Sequence, residues 1–180
     1  MNVLNKINKG LYEGEKAIAI VSFISMMGIM FLQVFFRYVV KSSIAWTEEA
    51  MRYLFVVSSF FGAACCSYEG KHVVIDFLGT ILEHFVKNER LRSVLDDIDR
   101  VLVDVISTGF FIYITTVMWS YGNKLMADGH VSSVLLIPLC YIAYAIAVAL
   151  IFCAVHSLLG AFISGKDLCD RLKNKEGGNA

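Results

Sequence analysis

The chain is expected to be an all-α integral membrane protein with four transmembrane helices, plus amphipathic helices between the second and third. Three observations carry that expectation. Of its 180 residues, 57% are hydrophobic and a single one is proline. Mean hydropathy is positive, which is uncommon for a soluble domain of this size and required of a polytopic membrane protein. Four apolar runs, at 17–40, 50–68, 101–121 and 138–163, match the ~20 residues that a helix needs to cross hydrocarbon.

Each run is read as a helix because backbone polar groups in lipid must be satisfied within the segment. The first is too long for the apolar core of a signal peptide, and no small-residue cleavage site follows it. The second is short after Arg52, so its helix is expected to begin near Thr47, with Arg52 in the first turn and its head at the interface. Tyr38 and Trp46 mark one membrane boundary, and Trp119, Tyr121 and Tyr141 mark the same boundary on the later spans.

The segment between the second and third spans is too patterned for a plain loop. Over 73–87 the polar residues Asp76, Thr80, Glu83 and Lys87 recur at helical spacing among Val, Ile, Phe and Leu. That pattern predicts an amphipathic helix on the membrane surface. A second amphipathic stretch over 90–100, with Leu91, Val94, Leu95 and Ile98 on one face, is expected to run into the third span. These make one domain over 1–165, followed by a polar tail at 166–180 that is expected to fray.

Basic residues orient the chain. Twelve of the sixteen lie before the first span, between the second and third, or after the fourth; four lie in the other two connections. By the positive-inside rule both termini are cytoplasmic. Equal numbers of acidic and basic residues leave no basic excess for nucleic acid. The cysteines, Cys65, Cys66, Cys140, Cys153 and Cys169, form no C-x-x-C pair and read as small hydrophobes rather than a disulfide or zinc framework.

The connection between the first two spans concentrates charge at a bilayer edge. Arg37 and Tyr38 close the first span, and Trp46, Glu48, Glu49, Arg52 and Tyr53 open the second. Glu48 and Glu49 lie one helical turn before Arg52, and Arg37 could reach either carboxylate. The expected network clamps two helices, presents charge to an outer partner, or does both. Elsewhere ionisable groups in the spans are scarce. Asp104 is one turn inside the third run, and His156 lies near the cytoplasmic end of the fourth, where a hydrogen-bonded packing role is expected. Haem held by paired imidazoles would need a second buried histidine, yet His72, His84 and His130 fall in connections. No nucleophile–base pair or phosphate-binding loop is present, so no cofactor, metal or catalytic role is expected.

The stretch F-R-Y-V-V-K-S-S-I-A-W-T-E-E-A-M-R-Y-L-F-V, followed by F-F-G-A-A and Y-E-G-K-H-V-V-I-D-F-L, resembles the small membrane subunit of tripartite ATP-independent periplasmic (TRAP) transporters. The corresponding positions are Arg37, Tyr38, Trp46, Glu48, Glu49, Arg52, Tyr53, Gly62, Gly70, His72 and Asp76. Cys65-Cys66 departs from the small apolar residues more usual there. The resemblance implies a non-catalytic scaffold in the bacterial inner membrane. Its implied partners are a large membrane subunit, which carries an organic acid inward with sodium, and a periplasmic substrate-binding protein. C4-dicarboxylates and sialic acid are the family's best-known cargoes. Two other readings remain at this point: a self-contained small oligomeric transporter, with Asp104 or His156 facing a cavity, or the membrane anchor of a redox complex.

Overall fold

The computed structural model describes residues 2–42, 44–69 and 89–176. Within them the chain is helical: α1 (Asn2–Phe35), α2 (Ala45–Tyr68), α3 (Glu89–Ala127) and α4 (Cys140–Glu176). All four are long and apolar enough to cross a membrane, through Asn8–Val40, Ala45–Tyr68, Val101–Ala127 and Cys140–Lys166. The predicted fold class is therefore seen. The amphipathic segment at 73–87, with His72 and Asp76, lies outside the described residues. Residues 89–100 are helical and continuous with the spanning part of α3.

α1 ends in a wider π turn, Phe36–Val40, which carries Arg37 and Tyr38. Lys41 stops it in the left-handed conformation, with its N–H returned to the carbonyl of Phe36. α2 then starts at Ala45, two residues earlier than expected, because the Thr47 hydroxyl donates to the carbonyl of Ile44 at 2.6 Å and closes the first turn. The tail departs further from expectation, since α4 stays helical to Glu176 rather than fraying after Lys166. No proline or glycine interrupts 166–176, so the sequence there permits the helix to continue.

The principal packings are α1 on α2, α2 on α4 and α4 on α3, so the helices form a row in the order 1-2-4-3. Small side chains line these contacts, among them Ala64, Ala143, Ala147 and Cys153, which let backbones approach where water is absent to drive association. Phe61 of α2 meets Phe152 of α4 at 6.3 Å between ring centroids. The α3–α4 pair is tightest at two glycines. A Cβ at Gly122 would come within 2.8 Å of the Tyr144 ring, and one at Gly160 within 3.0 Å of the Asp104 carboxylate. A row covers each outer helix on one side alone. Hence Phe23, Ile24 and Phe31 of α1, and Val105, Ile106 and Phe110 of α3, stand exposed.

Candidate functional site

Two polar clusters stand at opposite ends of the row. The first is at the end where α1 turns into α2 and α3 into α4. Among the described residues Glu49 does not pair with arginine; its carboxylate accepts the backbone N–H groups of three successive residues in the α3–α4 connection. Ser133 donates to Oε1 at 3.2 Å, while Val134 and Leu135 donate to Oε2 at 3.0 and 2.8 Å. The Tyr53 hydroxyl, one turn along α2, adds a bond to Oε1 at 2.8 Å. Consecutive amides converging on an ionised carboxylate make strong, charge-assisted bonds.

The connection is shaped to offer those amides. Val131 bridges to Pro138, Ser132 N–H donates to the carbonyl of Ile137, and the Ser132 hydroxyl accepts the Ile137 N–H at 3.2 Å. Leu136, at φ 55°, turns the chain, and its side chain stands 69% exposed beside exposed Val131 and Val134. One carboxylate on α2 thereby fixes an apolar loop from the other half of the chain.

This corrects the expected arginine–glutamate clamp. Glu48 accepts from the Gln33 amide at 3.2 Å, and among the described residues no ion pair joins Arg37 or Arg52 to Glu48 or Glu49. Both arginines, and Lys41, are exposed. The physical reason is competition: three aligned N–H donors hold Glu49 without the entropy of ordering a long cationic side chain. Tyr38 and Trp46 are also exposed, flanking the corner, whereas Tyr53 is half-buried through its bond to Glu49.

The second cluster is at the end where the chain begins and finishes. Glu15 of α1 and His156 of α4 are each 2% exposed. His156 Nε2 faces both Glu15 oxygens, at 2.9 and 3.0 Å, and Nδ1 is 2.6 Å from Asn8 Oδ1. Tyr68 of α2 sets its ring edge-on to the imidazole at 5.4 Å and stacks with Tyr12 at 4.3 Å. Tyr12 in turn donates its hydroxyl to Glu69 at 2.9 Å. Three helices thus meet around one imidazole.

The hydrogen-bonded packing role expected of His156 matches this geometry. Glu15 was missed because it lies just before the apolar run and reads as interfacial. The signal was available: Asn8, Tyr12 and Glu15 recur at i, i+4 and i+7, one polar face on a helix that extends below the hydrophobic run.

Asp104 rests its carboxylate against Gly160, and its backbone carbonyl accepts the hydroxyls of Thr108 at 2.7 Å and Ser157 at 3.0 Å. A groove of about 290 Å³ between α3 and α4 is lined by Ile112, Thr115, Thr116, Ile151 and Val155, among others. Thr115 and Thr116 return their hydroxyls to α3 carbonyls at 2.7 Å, so the groove offers apolar surface to whatever fills it. Among the described residues no group of three or more His, Cys, Asp or Glu could hold a metal.

Fold and clusters together define a multi-pass helical membrane protein in which two polar clusters tie helices and a connection together. Residues 26–165 match the family described as tripartite ATP-independent periplasmic transporters, DctQ component, and the chain belongs to that family. It is also similar to a TRAP transporter small permease protein of Haemophilus influenzae strain Rd, with 39% identity over 80 residues. That match covers 44% of this chain and 47% of the relative. A second similar protein is the sialic acid TRAP transporter permease protein SiaT of Haemophilus influenzae strain 86-028NP, 31% identical over 83 residues, which are 46% of this chain and 13% of that protein. The matched stretch therefore spans less than half of either relative.

Proposed function

We propose that this chain is the non-catalytic scaffold subunit of a sodium-coupled TRAP importer of an organic acid, of the sialic acid or C4-dicarboxylate type. It lies in the bacterial inner membrane with both termini cytoplasmic. It steadies a large membrane subunit that carries the solute, and it helps dock a periplasmic substrate-binding protein. One observation carries this reading. The buried ionisable groups described within the spans, Glu15 and His156, tie α1 to α4, and Asp104 packs against Gly160 of α4, while α1 and α3 offer broad apolar faces. A protein that moved an acid unaided would line a solvated path with such groups instead.

The corner at Arg37, Tyr38, Trp46, Glu48, Glu49, Arg52 and Tyr53 supports the docking role. Glu49 holds the α3–α4 loop against α2, and Arg37 and Arg52 at the same corner are exposed. His72 and Asp76 are proposed as further residues of the partner interface. Reconstitution tests the whole reading: the purified chain alone in liposomes should give no sodium-driven uptake, and adding the large subunit and binding protein should restore it. Flux through the lone chain would overturn it.

A further inference from the structure

Asn8, Glu15 and His156 form a chain of hydrogen bonds in which Glu15 and His156 are buried and Asn8 is half-buried. With the Asn8 oxygen turned to the ring, Nδ1 carries a hydrogen and donates it. Between Nε2 and Glu15 there is then one further proton, held as imidazolium with carboxylate or as imidazole with carboxylic acid. Either form leaves the pair neutral overall. A third proton makes the pocket cationic, and removal of one makes it anionic. A net charge that is buried without a partner is costly in both directions.

The tie matters because of where it lies. α1 packs mainly on α2, and its link to α4 runs through these long side chains. From Glu15 to Val40 is ~37 Å of helix, against ~30 Å of hydrocarbon, so the pair sits by the membrane boundary nearest the chain termini. We infer that Asn8, Glu15 and His156 are a proton-dependent latch: its neutral form fastens α1 to α4, and a gained or lost proton releases α1. Release would change the angle at which α1 presents its exposed apolar face.

The surrounding titratable groups come from every neighbouring helix. α1 supplies Tyr12 and Lys16, with Lys16 Nζ 5.5 Å from the Tyr12 ring centroid. α2 supplies Tyr68, Glu69 and Cys65, and α4 supplies Cys153; both thiols lie within electrostatic reach of Glu15. Asp104 of α3 packs against Gly160, one turn beyond His156. The direct hydrogen bonds seen on the imidazole are those of Asn8 and Glu15, which makes these two the groups that hold its protons.

Thermal unfolding of the full-length chain in lipid nanodiscs, followed from ~pH 5 to ~pH 9, tests the latch. Wild type should be most stable near neutrality and lose at least ~5 °C toward each limit. Glu15→Gln removes the proton that the wild-type pair loses at high pH, so it should stay within ~3 °C of wild type at neutrality and flatten the alkaline side of the profile. Glu15→Ala and His156→Ala should each lower the midpoint by roughly 5–15 °C, and the double variant should be no worse than the poorer single. A Glu15→Gln profile parallel to wild type, or single losses that simply add, would overturn the inference. Spin labels at Lys9→Cys and Ile163→Cys, on a chain otherwise free of cysteine, keep it testable if a variant fails to fold. Their distance distribution should be narrow near neutrality and broaden at both limits, and an unchanging distribution would refute the latch.

Discussion

The two ends of the helix row each rest on one glutamate, and they use it in opposite ways. Glu49 is partly exposed and gathers backbone amides from a loop, with the Tyr53 hydroxyl beside them, so most of its partners come from chain geometry. Glu15 is buried and faces an ionisable side chain on a helix 141 positions away in sequence. Water can replace a lost bond at the first site and cannot enter the second without opening it. The first end is therefore expected to tolerate change as a local loosening, the second as a failure of helix packing.

The comparison breaks most sharply at Glu15. Glu15→Ala leaves an imidazole buried without its carboxylate and should cost about 3 kcal/mol of stability in denaturant titrations of the reconstituted chain. A loss no larger than that of a surface substitution would mean that both ends behave alike. Next comes Gly122→Val in the α3–α4 contact, where the new side chain must displace the Tyr144 ring. It should cost about 1–3 kcal/mol, because a packed interface yields only by straining rotamers.

Glu49→Ala should barely move global stability. Its effect belongs to the loop, where amide hydrogen exchange at Ser133, Val134 and Leu135 should quicken markedly while α2 and α4 stay protected. Unchanged exchange there would remove Glu49 as the fastener. The smallest effect is expected at Arg52, which is exposed and pairs with neither Glu48 nor Glu49. Arg52→Ala should leave the unfolding midpoint unchanged, so any loss of uptake in the reconstituted transporter would report a partner contact rather than a broken clamp.

Much of the architecture was legible because hydropathy over ~20 residues is a strong, local signal. Helix number followed directly from it. The corner was located by its cluster of charge and aromatics, but its wiring was misread. Sequence spacing shows Glu48 and Glu49 one turn from Arg52, whereas the amides that hold Glu49 belong to residues 133–135, which carry no side-chain feature to announce them. The same limit hid Glu15. Its polar face on α1 is visible at 3.6-residue spacing, yet its partner could be any residue at that depth.

Composition and periodicity alone thus determined a four-span helical membrane protein, since burial of backbone polar groups in lipid allows little else. Tertiary structure decided the order of the helices in the row, the capture of a loop by Glu49 and the union of Glu15 with His156. Those outcomes depend on distances between segments far apart along the chain, and no local pattern of side chains encodes them.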